Sequence, residues 1–207
     1  MTTPIPAQPP VLRPEQLTAA YTYAQYRQLI DELMTEDKTT GETQSAELTA
    51  YARLNIQRME RLDKKAELVP EMTAALADIT QSYEWVIITE GWCGDAAQIV
   101  PVLEKIAQAS HGRIRTHYLL RDQNLDLMDG YLTNGGRSIP KLLILHADTL
   151  TEVTNWGPRP ALAQDLFLEM KAAGATHEEF AEALHGWYAK NKTQATQHEL
   201  LDIVRGL

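Results

Sequence analysis

The amino-acid sequence predicts an α/β protein: a central mixed sheet built as a βαβ unit followed by ββα, with added N-terminal and C-terminal helices. Three observations carry this prediction. The segment "WVIIT" (85–89) is a short, β-rich apolar run of the kind that forms a strand covered on both faces. A helical stripe (Ile99, Leu103, Ile106) and a second β-rich run, "RIRTHYLL" (113–120), follow it, so strand, helix and strand make a parallel unit with a right-handed crossover. Further on, "PKLLILHADTLTEVTNW" holds two β segments around a turn at Asp148 and Thr149, close enough to form an antiparallel hairpin.

The remaining elements follow in order. Residues 1–13, "MTTPIPAQPPVLR", are Pro-rich and lack a charged leader with an apolar stretch, so they read as a disordered tail and not a signal peptide. Pro14 suits the first turn of a helix, and Tyr23, Tyr26, Ile30 and Leu33 give it one apolar stripe before it stops in "TEDKTTGET". A second helix is expected from about Ala46 to Ala66, with Leu48, Ala52, Asn55, Met59 and Leu62 on one face, and a short third from Glu71 to Ile79. Pro101 falls inside the helix after the first strand, where it must kink the rod. "RDQNLDLMDGYL" reads as a loop and short helix, and Pro160 opens another helix. "THEE" (176–179) and "TQHE" (196–199) each pair a Thr with a Glu three residues later, the capping-box pattern, and start the last two helices. The chain therefore divides into a tail (1–13), an N-terminal helical extension (14–69), a sheet domain (70–173) and C-terminal helices packed on it (174–207).

With 207 residues, 44% of them hydrophobic, there is enough chain for one core with additions rather than two full domains. The net charge of −9 argues against nucleic-acid binding, which depends on Lys and Arg releasing counterions. No apolar run approaches the roughly 20 residues of a bilayer span, so no membrane association is expected. One cysteine cannot form an internal disulfide, and a cytoplasmic location is expected. The six histidines are scattered without metal-ligand spacing, and His146 alternates with buried strand positions, which suits a structural role. No metal site is expected, and there is no G-x-G-x-x-G, Walker or G-x-S-x-G motif for nucleotide binding or serine hydrolysis.

The single cysteine lies in "ITEGWCGDAAQIVP" (88–101), at the first strand-to-helix junction. Trp92-Cys93-Gly94, then Pro101 eight residues beyond the cysteine, then "GGRSIPKLLIL" leading into a strand, together resemble the thioredoxin family. Likeness to thioredoxin proper covers about residues 70–173, and the whole chain is similar to bacterial thioredoxin-family proteins with an N-terminal helical extension. The resemblance implies a thioredoxin-like fold, a cis peptide before Pro140, and a groove around Cys93 formed by Trp92, Gly94, Asp95, Ser138, Ile139, Pro140, Trp156 and Gly157. It also implies that the Ile139 backbone is free to pair with a client peptide. Two departures stand out: Ala96 replaces the resolving cysteine, and Ile87 occupies the position of the family's buried acid. A dithiol reductase cycle within this chain is thereby excluded.

Only the thiolate attacks disulfides, and Cys93 at a helix N-terminus gains about 0.3 to 2 kcal/mol for its anion from the unpaired N–H groups and dipole. Asp95 opposes this with a like charge, so the expected activation is modest unless a cation stands nearby. Arg137 and Arg159, flanking the cysteine in such a fold, are the candidate thiolate or anion partners; Arg58 and Arg61 are expected to pair with acids such as Glu60 or Asp63, or to pack their stems. Two functions follow. In one, Cys93 performs monothiol exchange on a client protein or low-molecular-weight thiol, with no bound cofactor and with glutathione or another small thiol able to resolve the adduct. In the other, the domain is a non-catalytic protein-binding module with a vestigial thiol. The sequence leaves open whether the protein is a monomer or a homodimer, and a single thiol would also permit a disulfide-linked pair of chains.

Overall fold

A four-stranded sheet is built outward from β1 (Tyr83–Thr89) in the computed structural model, which describes residues 12–207. All seven β1 residues are buried, because helices cover both faces of the strand. On one side β1 pairs in parallel with β2 (Ile114–Leu120), with Val86 opposite His117. On the other it pairs antiparallel with β3 (Lys141–His146), and β3 in turn with β4 (Glu152–Trp156), giving the order β2-β1-β3-β4. This is the mixed sheet expected from the β-rich runs and the hairpin turn.

Four helices precede the sheet: α1 (Pro14–Ala19), α2 (Tyr23–Thr35), α3 (Ala46–Lys65) and α4 (Pro70–Ala77). The crossover helix α5 (Gly94–Ala109) carries Pro101 in its interior and buries Ile99, Leu103 and Ile106 against the sheet. A 3-10 turn and the short α6 (Leu125–Met128) follow β2. After β4 come α7 (Ala161–Ala172), α8 (His177–Asn191) and α9 (Gln194–Val204). One core joins sheet and additions: Trp85, Ile87 and Leu143 of the sheet share it with Tyr26 and Met59 of the extension and Leu200 of α9. Full burial of an aliphatic side chain contributes about 1.5–3 kcal/mol, so the added helices are part of the stability of this fold.

Three local expectations are corrected. The first helix is two helices, because Tyr21 exchanges backbone hydrogen bonds with Tyr118 of β2 (2.9 and 2.8 Å) and Thr22 restarts the chain with a capping box to Gln25. "TQHE" does not cap α9: the helix begins at Gln194, Thr196 is buried inside it, and Glu199 accepts from the Trp156 indole N–H (2.8 Å) and the Ala161 N–H (2.7 Å). Most of the expected tail lies outside the described residues, but Leu12 is buried in the core.

The additions also hold the linkers. Gln197 of α9, fully buried, accepts from Val69 N–H (2.8 Å) and donates to the Glu67 carbonyl (2.9 Å), fixing the segment between α3 and α4. Among the described residues no helix is long and apolar enough to cross a membrane.

Candidate active site around Cys93

The turn between β1 and α5 is held from three sides by the N-terminal extension. Thr40 Oγ1 accepts from Gly91 N–H (2.7 Å), and Asn55 of α3 donates to the Gly91 carbonyl (3.0 Å). Ile30 of α2 stands 3.0 Å from where a Gly91 side chain would begin. Next to this clamp, Glu90 is wholly buried: Oε1 accepts from Asp122 N–H (3.0 Å), and Oε2 has no partner. Burial raises the Glu90 carboxyl above its ordinary value. Ile87 occupies the position of the family's buried acid, and the buried acid of this turn is Glu90, three residues nearer the cysteine.

Cys93 is the N-cap of α5 and only 8% exposed. Its sulfur accepts weakly from Ala96 N–H (3.5 Å), and its thiol donates to the Ile139 carbonyl (3.2 Å). The Ile139–Pro140 peptide is cis, as is Gly157–Pro158. Burial is the main cause that pushes the Cys93 thiol up to about 12, and the Asp95 carboxylate adds to it; the Ala96 N–H and the Arg159 charge oppose this without reversing it. The helix terminus set against Asp95 would by itself leave modest activation. Desolvation, worth up to 3–5 pKa units for a buried group, outweighs both.

Of the two arginines proposed as thiolate partners, neither is free. Arg137 pairs with Asp129 (2.6 and 2.8 Å) on the surface. Arg159 holds Asp95 through Nε (3.0 Å) and Nη2 (2.5 Å), with both side chains 11% exposed, and lies over the Phe167 ring at 4.5 Å. Tyr188 of α8 donates to the other Asp95 oxygen (2.6 Å). Asp95 thus joins α5, α8 and the loop after β4. That loop approaches so closely that a side chain at Gly157, φ +106°, would begin 2.5 Å from the Pro140 carbonyl oxygen. Arg58 and Arg61 do not take the acids suggested for them: Asp63 is taken by Arg27 and Glu60 by Lys64, and Arg58 donates to Asn55.

Cys93, Gly94 and Asp95 floor a cavity of about 480 Å³. Trp92, stacked under the Arg121 guanidinium at 4.8 Å, forms one side with Ser138 and Ile139. Pro140, Trp156 and Gly157, expected in the groove, do not line this cavity: Pro140 is buried, and the Trp156 indole is turned to Glu199 of α9. The far wall comes from the added helices, for which the sequence leaves open whether they cover the groove, build a dimer interface or extend the core. Tyr51 of α3 meets His177 of α8 (hydroxyl to Nδ1, 3.2 Å), and Phe180, Leu184 and His185 continue that wall. The His185 ring rests on Gly94, where a Cβ would lie 2.8 Å from its Cε1 and Nε2. Burial, with the Arg58 charge, brings His185 down to about 4, and its Nδ1 has no partner, so the ring is neutral at pH 7. No signal in the sequence joins His185 to Cys93, 92 positions away.

A family model described as thioredoxin matches residues 41–176. The chain belongs to the thioredoxin family. Thioredoxin 1 of Nostoc sp. (strain PCC 7120) is 33% identical over 76 residues, which are 36% of this chain and 68% of that protein. Two crystal structures share the fold. A protein of unknown function from Pseudomonas aeruginosa has a TM-score of 0.59 at 18% identity, covering 93% of this chain and 96% of the other. An HIV epitope-scaffold has a TM-score of 0.58 at 16% identity, covering 93% and 97%. Coverage that wide takes in the added helices as well as the thioredoxin-like sheet. Among the described residues, no three His, Cys, Asp or Glu side chains are grouped to hold a metal ion.

Proposed function

We propose that Cys93 carries out monothiol thiol–disulfide exchange on a low-molecular-weight thiol or disulfide that enters the cavity between the sheet domain and α8. The observation that carries this reading is the position of the chain's one thiol: it caps α5 on the floor of that cavity, hydrogen-bonded to the Ile139 carbonyl. Tyr51 and His177, in contact with each other, line the same cavity and narrow it, which favours a small client over an extended polypeptide.

Burial holds the thiol well above its ordinary value, so the thiolate is a minor form at pH 7 and turnover calls for water to reach the sulfur, with α8 moving aside. The proton then passes to solvent, and the Cys93 thiolate attacks one sulfur of the client disulfide. The S–S bond breaks, its electron pair leaves on the other sulfur, and that thiolate takes up a proton. An external thiol such as glutathione attacks the client sulfur of the adduct and restores Cys93, so each round exchanges one thiol for another across a disulfide. The lone thiol of this chain suits a reducing cytoplasm.

The second reading is a thioredoxin-like binding module with an inert thiol, favoured by the same burial of Cys93. Mass spectrometry after incubation with oxidised glutathione separates the two. A glutathione adduct on Cys93 that reduced glutathione removes supports exchange. Absence of an adduct, with alkylation no faster than burial dictates, leaves the binding module.

A further inference from the structure

One turn further along α5 and α8 from the thiol, the end of α3 and the start of α9 enclose a second cavity of about 400 Å³, within the roughly 300–1,000 Å³ range of ligand pockets. Its lining carries more cations than acids, in a protein of net charge −9. Arg61, Lys65 and Lys192 line it, and no carboxylate pairs with any of them among the described residues, since Glu60 and Asp63 are committed to Lys64 and Arg27. Arg61 and Lys65 are like charges at i and i+4 on one helix face, an arrangement that weakens a helix. The C-terminal ends of α3 and α8, about half a negative charge each, and the single acid Glu67 do not offset three full cations.

The floor has a different character. Gln98 of α5 is 5% exposed and lines the cavity, and its side-chain amide makes no hydrogen bond among the described residues. The amide is not among the fully enclosed polar atoms that lack a partner, so it is open to the cavity and free to meet a ligand there. Leu62, Ala66 and the Tyr188 ring supply an apolar wall beside it.

We propose that this cavity binds a small organic anion, an apolar body bearing a carboxylate or phosphate, with the charged group at Arg61, Lys65 and Lys192 and a polar atom on the Gln98 amide. The site is separate from the Cys93 cavity, although Tyr188 forms part of its wall and donates to Asp95 beside the thiol.

The test is a titration of the full ¹⁵N-labelled chain by NMR with phenyl phosphate and benzoate, which distinguish the two acid groups, and benzyl alcohol as the neutral control. The expected result is a saturable shift of the Gln98 side-chain amide and of the Thr193 and Gln194 backbone amides with at least one of the acids. Added sodium chloride should weaken it, and Lys192→Ala and Arg61→Ala should each weaken it about five-fold. The Cys93→Ser variant should bind unchanged. Absence of a saturable shift with both acids overturns the proposal, as do equal shifts with benzyl alcohol or affinity unchanged in both cation variants.

Discussion

Gly94→Ala tests whether α8 lies over the cysteine in solution. The added methyl would sit 2.8 Å from two atoms of the His185 ring, where ordinary contact is about 3.5–4.0 Å, so the ring must retreat by about 0.7–1.2 Å. It cannot do so freely, because Leu184 and Tyr188 beside it on α8 are buried and Tyr188 is bonded to Asp95. Overpacking of this kind costs about 1–3 kcal/mol, against a gain of up to about 1 kcal/mol from replacing glycine in a helix. The net loss should be about 1–2 kcal/mol, or roughly 2–8 °C in Tm for a chain of this size. Urea denaturation of Gly94→Ala, His185→Ala and the double variant isolates the contact. In the His185→Ala background the Gly94 substitution should be neutral or slightly stabilising, and iodoacetamide should label Cys93 faster in Gly94→Ala than in the wild type. Equal stability cost in both backgrounds, with the thiol labelled at the wild-type rate, would refute the packing of α8 on this turn.

Three further outcomes follow from the same residues. Alkylation of wild-type Cys93 should rise about tenfold per pH unit from 7 to 10 without a plateau, because only the thiolate reacts and the thiol sits at about 12; Asp95→Asn, which removes the like charge, should speed labelling several-fold. Arg159→Ala strands the buried Asp95 carboxylate and should cost about 3 kcal/mol by urea denaturation, and Arg159→Lys should recover little because an ammonium cannot supply both the Nε and Nη2 contacts. Glu90 has its carboxyl raised on folding, so the folded state holds the proton that the unfolded chain releases. Stability from this group is therefore fully present below its ordinary value near 4.5 and lost as pH rises toward the folded value, with a slope of at most about 1.4 kcal/mol per pH unit. Glu90→Gln should flatten that slope in denaturation curves collected across this range, and an unchanged slope would remove Glu90 as its source.

The sheet was legible because its signals are local. An apolar β-rich run such as 85–89 has few ways to bury both faces, and the hairpin turn lies within its own segment. The break at Ala20–Thr22 was not legible, since it depends on Tyr21 finding Tyr118 across the chain. "TQHE" was misleading for a related reason: Glu199 serves Trp156 and Ala161 instead of its own helix end. At the site, the motif located the cysteine, the turn and the Ile139–Pro140 segment beside it, but it could only offer Arg159 as a candidate thiolate or anion partner, and the arginine is bound to Asp95.

By itself the sequence determined a thioredoxin-family sheet, one thiol at the start of α5, and no second cysteine to resolve an adduct, because strand, turn and helix signals act over a few residues. The tertiary structure alone decided what surrounds that thiol: α3 and α8 wall its cavity, Asp95 is locked between Arg159 and Tyr188, and burial pushes the thiol above its ordinary value. Ionisation of a thiol depends on how much water reaches it and which charges stand near it, and here those neighbours lie up to 93 positions from Asp95 in the chain.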